Sequence, residues 1–307
     1  MTALTSRPRT RRPAGLAPWE ERPSPVGQVG KGTLLTIIVV AVLGPLYTIV
    51  LTSLSSTATV TRAGGLVLVP DGITFEAYRQ IFSDTVVSRA VMVSTVVTVV
   101  GTLVSAGVSV LVAYSLSRPG SFLHRPLLFS VLLMFVFIPG IIPVYLMVSG
   151  LGLKDSYWSL ILPTAVSAFN VVVLRSFFMG IPGEILDSAR IDGAGEFRIL
   201  FRIVLPMSKA VTAVVAMFYA VGYWNAWFNA MLYMDDTRKW PLALILRQYV
   251  VDSNPLPAAT AGVTGDAPPT LAIKMAIVVI AVIPALIIYP FVQRHFTKGV
   301  IVGAVKG

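Results

Sequence analysis

The chain has 307 residues, of which 55% are hydrophobic and only 12% charged, with a formal net charge of +10 and a mean hydropathy of +0.80. Soluble domains average roughly 25% charged residues, so this balance makes lipid the solvent to test first. With no cysteine and two distant histidines, His124 and His295, the chain excludes disulfides and thiolate metal sites and offers no clustered metal-ligand set.

The first element is an Arg/Pro-rich leader, residues 1–30, without apolar periodicity. It reads as a disordered, basic, cytoplasmic segment whose charge retains the helix that follows. Beyond Lys31, six long runs are free of Asp, Glu, Lys and Arg: 32–61, 90–117, 126–153, 156–174, 210–234 and 275–293. Crossing a bilayer core takes about 20 apolar residues. These runs predict an all-α polytopic membrane protein, with transmembrane helices near 33–53, 88–116, 126–149, 157–178, 208–233 and 272–292, in one domain spanning 31–307. The first is too long for a cleaved signal, whose apolar part runs to roughly 7–15 residues.

Six crossings place both termini on one side. Segments of that parity carry sixteen of the Lys and Arg residues, the opposite segments eight. Basic residues favour the cytoplasmic face, so both termini are expected there. Most of the positive charge is thereby accounted for by topology, and nucleic acid is not an expected partner. Lipid is.

None of the runs holds an ionisable residue at depth, which argues against a proton-coupled carrier working alone. Arg175, near the end of the fourth helix, is expected to snorkel. In the third, Pro139, Gly140 and Pro143 predict a kink or an unwound turn, read either as a static bend or as a hinge. Asn170 lies in the fourth. The fifth reads FYAVGYWNAWFNAMLYM, with Trp224, Asn225 and Asn229 near its middle. These four residues admit two readings, helix packing and a polar translocation path on which aromatic faces stack against sugar rings.

Residues 180–209 are far more charged than their surroundings, and bare connections in compact folds are much shorter. Two short helices are expected. The first follows Pro182 and carries Glu184 and Asp187 in its early turns. Ala189 and Gly193, four apart, leave a small-residue notch, and Gly193 and Gly195 end the helix. The second starts near Glu196, with Phe197, Leu200, Phe201 and Val204 as an apolar stripe at i, i+3, i+4 and i+7. Pro206 re-aims the chain into the fifth span. A lever below the membrane and an amphipathic helix lying on lipid both fit this pattern.

The same segment resembles the EAA motif of ABC-importer permeases: E-A-A, three residues, G, nine residues, I-x-L-P. Here Asp187-Ser188-Ala189, Gly193 and Ile203-Val204-Leu205-Pro206 keep that spacing, with Asp for Glu and Ser for Ala. DGITFEAYRQIF (71–82), YWNAWFNA (223–230) and HFTKGVIVGAVKG (295–307) resemble the maltose-permease-like carbohydrate branch of that family. The resemblance covers roughly 30–307. It implies a type I importer permease (MetI-like) fold in a bacterial cytoplasmic membrane. It further implies a second permease subunit, a dimeric cytoplasmic ABC ATPase and an extracellular sugar-binding lipoprotein as partners. Glu184, Asp187, Ser188, Ala189, Asp192, Gly193, Ala194, Leu205 and Pro206 would then dock the ATPase, and Gly303 and Lys306 in the tail would contact it. No G-x-x-x-x-G-K-[ST] phosphate loop occurs in the chain, so neither catalysis nor a cofactor is expected on it. The alternatives are a permease of the same architecture for a non-sugar solute, and a stand-alone secondary carrier.

Overall fold

The computed structural model describes residues 25–83, 85–118, 120, 123–251 and 271–304. Among these every regular element is helical. The chain divides into two units, Met1–Thr48 and Ile49–Gly307. Helix α1, Pro25–Ser53, runs across that division and carries Pro45 inside it. The leader expected over 1–30 lies outside the described residues as far as position 24, and from Pro25 the chain is already helical.

Within the second unit, α2 (Thr57–Arg62) is capped by Ser56, whose side chain accepts from the Thr59 N–H. Helix α3 (Glu76–Ser83) buries Ala77 and Ile81, one turn apart, and exposes its charged residues. Helix α4 (Thr85–Leu116) is unbroken and buries Val93, Val97, Gly101, Ser105 and Ser109, a strict four-residue spacing that makes one face. That face packs on α12 (Lys209–Trp224), the most extensive helix pairing among the described residues.

Later crossings are interrupted. Between α5 (His124–Val136) and α6 (Ile141–Gly150) the chain is extended from Phe137 to Gly140, around the Pro139-Gly140 pair. Proline forces its predecessor out of the helical region, which explains where the break falls. Helix α7 (Trp158–Ile161) tightens into a 3₁₀ turn containing Pro163 and bends by 53° into α8 (Ala168–Met179), which starts at the Ser167 cap. The segment expected as one helix over 208–233 is α12, a tight turn at Asn225-Ala226 in which the Trp227 N–H reaches Asn225 O at 2.8 Å, and α13 (Trp227–Tyr233). Then come α14 (Leu242–Leu246) and α15 (Leu271–Ala304), whose described part contains Pro284 and Pro290.

Val26–Ser53 and Thr85–Leu116 are each long and apolar enough to cross a membrane. If each of the bent pairs Trp158–Thr164 with Ala168–Met179, and Glu196–Met207 with Lys209–Trp224, is counted as one span, the number is up to four among the described residues. One buried cluster joins α4, α8, α12 and the 186–204 segment through Val97, Leu116, Leu174, Phe178, Ile199 and Val215. A second joins α3, α14 and α15 through Val67, Ile81, Leu242, Ile245 and Ile277. Between helices in lipid the adhesive forces are close packing and hydrogen bonds rather than exclusion of water. Accordingly, the α4–α12 seam combines a small residue, Gly101, with the hydroxyls of Ser105 and Ser109.

Two loops are clipped by Asp155. Its φ of +56° places it in the left-handed region, where an aspartate is tolerated. Its Oδ1 accepts from the N–H groups of Asp235 (2.8 Å) and Asp236 (2.9 Å), while Lys239 Nζ donates to its carbonyl at 2.7 Å.

Candidate functional site: a polar cavity and a cytoplasmic elbow

A cavity of about 610 Å³ opens between the α7–α8 and α12–α13 segments. Asn170, Asn225 and Asn229 contribute carboxamides, and Phe169, Phe218 and Phe228 contribute ring faces. The Phe169 and Phe218 rings lie 6.3 Å apart and tilted. No charged side chain lines the space. Such a surface has no nucleophile paired with a base. What it offers is hydrogen bonds of either polarity beside aromatic faces, a combination suited to a hydroxyl-rich solute.

Two tyrosines build the cavity wall. The Tyr219 hydroxyl bonds Ser109 Oγ at 2.7 Å and accepts the Ser167 N–H at 3.0 Å. The Tyr223 hydroxyl bonds Ser105 Oγ at 2.6 Å and donates to Ile161 O at 3.2 Å. Ile161 and Ser167 flank the break between α7 and α8, where backbone groups lack helical partners. The tyrosines therefore satisfy the broken span from the side. Sequence reasoning missed all four side chains. The signal was present, since Ser105/Ser109 and Tyr219/Tyr223 are both i, i+4 polar pairs on apolar helices.

Of the four expected path residues, Asn170, Asn225 and Asn229 line this cavity. Trp224 turns away, its Nε1 donating to Ala281 O at 3.0 Å beside the second cluster. Consecutive helical residues point about 100° apart, so Trp224 and Asn225 do not share a face.

The second feature is the 180–209 segment. Helix α9 (Gly183–Ile191) buries Leu186 and exposes Glu184, Asp187 and Ser188, with Ser188 Oγ donating to Glu184 O at 2.8 Å. It closes at Gly193, φ +77°. The Ala194 N–H reaches Ala189 O (2.9 Å) and the Gly193 N–H reaches Arg190 O (3.0 Å), the paired bonds of a Schellman cap. Ala189, Asp192, Gly193 and Ala194 are thus one cap, with Ala189 and Ala194 half-buried and the other two exposed. A Cβ at Gly193 would meet nothing within 4 Å, so the glycine is required by backbone conformation and not by crowding within this chain. Gly195 plays no such part: its φ is −70°, and it precedes α10 (Glu196–Ile199).

After α10 the chain makes a π turn over Leu200–Val204, then α11 (Leu205–Met207), and bends by 88° into α12. The stripe expected at 197, 200, 201 and 204 is split. Ile199, Leu200 and Val204 are buried, whereas Phe197 and Phe201 are 73% and 58% exposed. The extra residue of a π turn shifts the helical phase, which the 3.6-residue pattern does not anticipate. Ile191, 87% exposed, adds a third uncovered apolar side chain. Leu205 is half-buried and Pro206 exposed at the corner.

Polar contacts hold the elbow's shape. Arg190 donates to Asp187 Oδ1 (3.0 Å) and, through Nε and Nη2, to Glu196 Oε1 (both 3.2 Å). Glu196 Oε2 accepts a hydrogen bond from the Tyr114 hydroxyl at the end of α4. That hydroxyl, followed by Arg190, holds the Glu196 carboxyl below its ordinary range against the opposing effect of burial. At the end of α8, Arg175 Nε donates to Leu116 O at 2.9 Å, satisfying a last-turn carbonyl of α4. In the tail, Gly303 lies within α15, and Lys306 lies outside the described residues. Among the described residues no group of carboxylates and imidazoles could hold a metal ion.

Residues 105–302 match the family described as binding-protein-dependent transport system inner membrane component. The polygalacturonan/rhamnogalacturonan transport system permease protein YtcP of Bacillus subtilis (strain 168) is 46% identical over 242 residues, 78% of this chain and 85% of that protein. Protein LplC of the same organism is 44% identical over 239 residues, 78% and 81% of the two chains. A chain in the crystal structure of a bacterial ABC transporter involved in the import of the acidic polysaccharide alginate superposes with a TM-score of 0.82. Its identity is 31%, and the match covers 91% of this chain and all of that one.

Proposed function

The chain belongs to the binding-protein-dependent transport system inner membrane component family, and from that premise we propose that it is one of two permease subunits of an ATP-driven oligosaccharide importer. In this reading α1, α4, α5 with α6, α7 with α8, α12 with α13, and α15 are its six crossings. Both termini are cytoplasmic, residues 1–30 are a leader, 31–307 the permease domain and 180–209 the coupling loop. Names and titles of the similar proteins, which speak of polygalacturonan, rhamnogalacturonan and alginate, support a carbohydrate as the solute. The sugar would pass along Asn170, Asn225 and Asn229 after delivery by an extracellular binding protein.

One observation carries the coupling role. Ile191, Phe197 and Phe201 stand uncovered on a segment held in shape by a Schellman cap and by the Tyr114 contact to Glu196, with the Arg190 pairs beside it. Exposed apolar side chains on a rigid, polar-rimmed elbow are what a partner protein covers. The partner would be the cytoplasmic ATPase, with Glu184, Asp187, Ser188 and Asp192 at the rim and Gly193 facing it. Its closure on ATP would rock the elbow and turn the cavity outward.

Recovery of the tagged chain in mild detergent, with partners identified by mass spectrometry, tests this. A second permease and an ATPase should accompany it. Recovery of this chain alone, with uptake intact after reconstitution, would establish a stand-alone carrier instead. Asn225→Ala with Asn229→Ala should lower uptake without loss of the recovered ATPase.

A further inference from the structure

Force applied to the elbow can reach the cavity by two routes. Along the chain it must pass a π turn, the short α11 and an 88° corner before entering α12. Through space there is a direct tie. Glu196, the first residue of α10, takes the Tyr114 hydroxyl on one carboxylate oxygen and two Arg190 N–H groups on the other. Tyr114 is only 8% exposed, and the Arg118 guanidinium lies 4.7 Å from its ring centroid. The Arg190 pairs are largely exposed and weak by themselves. The Tyr114 arm joins a buried hydroxyl to an ionised carboxylate, the stronger kind of hydrogen bond.

Tyr114 also sits on a helix that continues to the cavity without a break. Along α4, Ser109 and Ser105 lie about one and a half and two and a half turns away from Tyr114, and they hold Tyr219 and Tyr223 in the cavity wall. We propose that Tyr114 and Glu196 are the positioning pair through which movement of the docking elbow is passed to α4, and from α4 to the tyrosines lining the cavity. The proposal rests on the importer reading. It assigns to one hydroxyl–carboxylate contact, between residues 82 apart in sequence, the transmission that the bent covalent route makes compliant.

Tyr114→Phe isolates the contact, because it keeps the ring beneath Arg118 and removes only the hydroxyl. The chain has no cysteine, so Asn225→Cys supplies a single maleimide-reactive reporter in the cavity, read on this chain by mass. In the transporter purified with its partners, trapping with ATP and vanadate should change the labelling rate of the reporter. Tyr114→Phe and Glu196→Leu should each abolish most of that change while ATP hydrolysis persists, and combining them should add little, since both remove the same link. A Tyr114→Phe complex that responds as fully as its parent would overturn the proposal. A second measurement needs no partner. In the full chain in micelles, Tyr114→Phe should speed amide exchange over 196–204 by about tenfold, with the centre of α4 unchanged. Unaltered exchange there also overturns it. If no ATPase accompanies the parent chain, it is the importer reading that fails, and the exchange result still decides whether the contact fastens the elbow.

Discussion

Tyr223 lies in the space that a side chain on Gly101 would need. A Cβ built at Gly101 falls 2.8 Å from the Cδ2 and Cε2 atoms of the ring. The ring cannot swing clear cheaply, because its hydroxyl is held by Ser105 and Ile161. Gly101→Ala should therefore force α4 and α12 apart and destabilise the protein by about 1–3 kcal/mol. Thermal unfolding in micelles measures this, and a melting temperature equal to the parent's would show that the seam is loose.

Tyr219 supplies the only acceptor described for the Ser167 N–H and also bonds the fully buried Ser109. Tyr219→Phe leaves both without that partner, at a cost of about 1–3 kcal/mol. Ser109→Ala should cost less, and the double variant should fall short of the sum, because the two share one bond. Strict additivity in the unfolding measurements would mean that the hydroxyls act separately.

For Gly193 conformation and contact can be separated. Alanine at this left-handed position should lose roughly 1–2 kcal/mol, and asparagine, which adopts that conformation more readily, less. Nothing in this chain crowds the position. Gly193→Asn should thus melt near the parent temperature yet recover little ATPase, because its side chain projects into the partner's space. Full recovery of ATPase with Gly193→Asn would place the docking contact elsewhere.

The Asp155 clip has a pH signature. The Asp236 N–H above all, helped by the Asp235 N–H, Lys239 and Lys154, holds its carboxyl below the ordinary 3.8 against the opposing effect of burial. A carboxyl depressed in the folded state stabilises it fully above the unfolded value. That contribution disappears as pH falls through the folded value. The parent should therefore lose stability relative to Asp155→Asn as pH is lowered through and below about 4. Parallel melting curves for the two proteins across that range would rule out the clip as a source of acid sensitivity.

Most of the helical framework was legible as uncharged runs, because a membrane excludes charge over a fixed length. The break at Pro139-Gly140 was legible too, since proline removes a donor. Where the other spans break was not. At the Pro163 break, Tyr219 and Tyr223 take up backbone groups, and those contacts join residues far apart in sequence; the turn at Asn225-Ala226 contains no proline or glycine to announce it. In the elbow, Gly193 could be read from its place after the last helical residues. The stripe of Phe197, Leu200, Phe201 and Val204 was legible as apolar, but not that Leu200 and Val204 would be buried while Phe197 and Phe201 stay exposed. Glu196 was seen as the start of a helix, but nothing local announces that its partner is Tyr114.

The π turn at Leu200–Val204 has a consequence best put as gearing. Each residue of an α-helix rotates the next by about 100°. Deleting one residue there would let the backbone close as ordinary α-helix, and the piece carrying Glu196 and Phe197 would turn by about that angle relative to α12. Glu196 would swing out of reach of Tyr114, and the aromatic face would point sideways, although every other residue and the composition of the elbow were kept. The segment is therefore indexed like a toothed shaft: its length, counted residue by residue, selects which side chains engage the transmission.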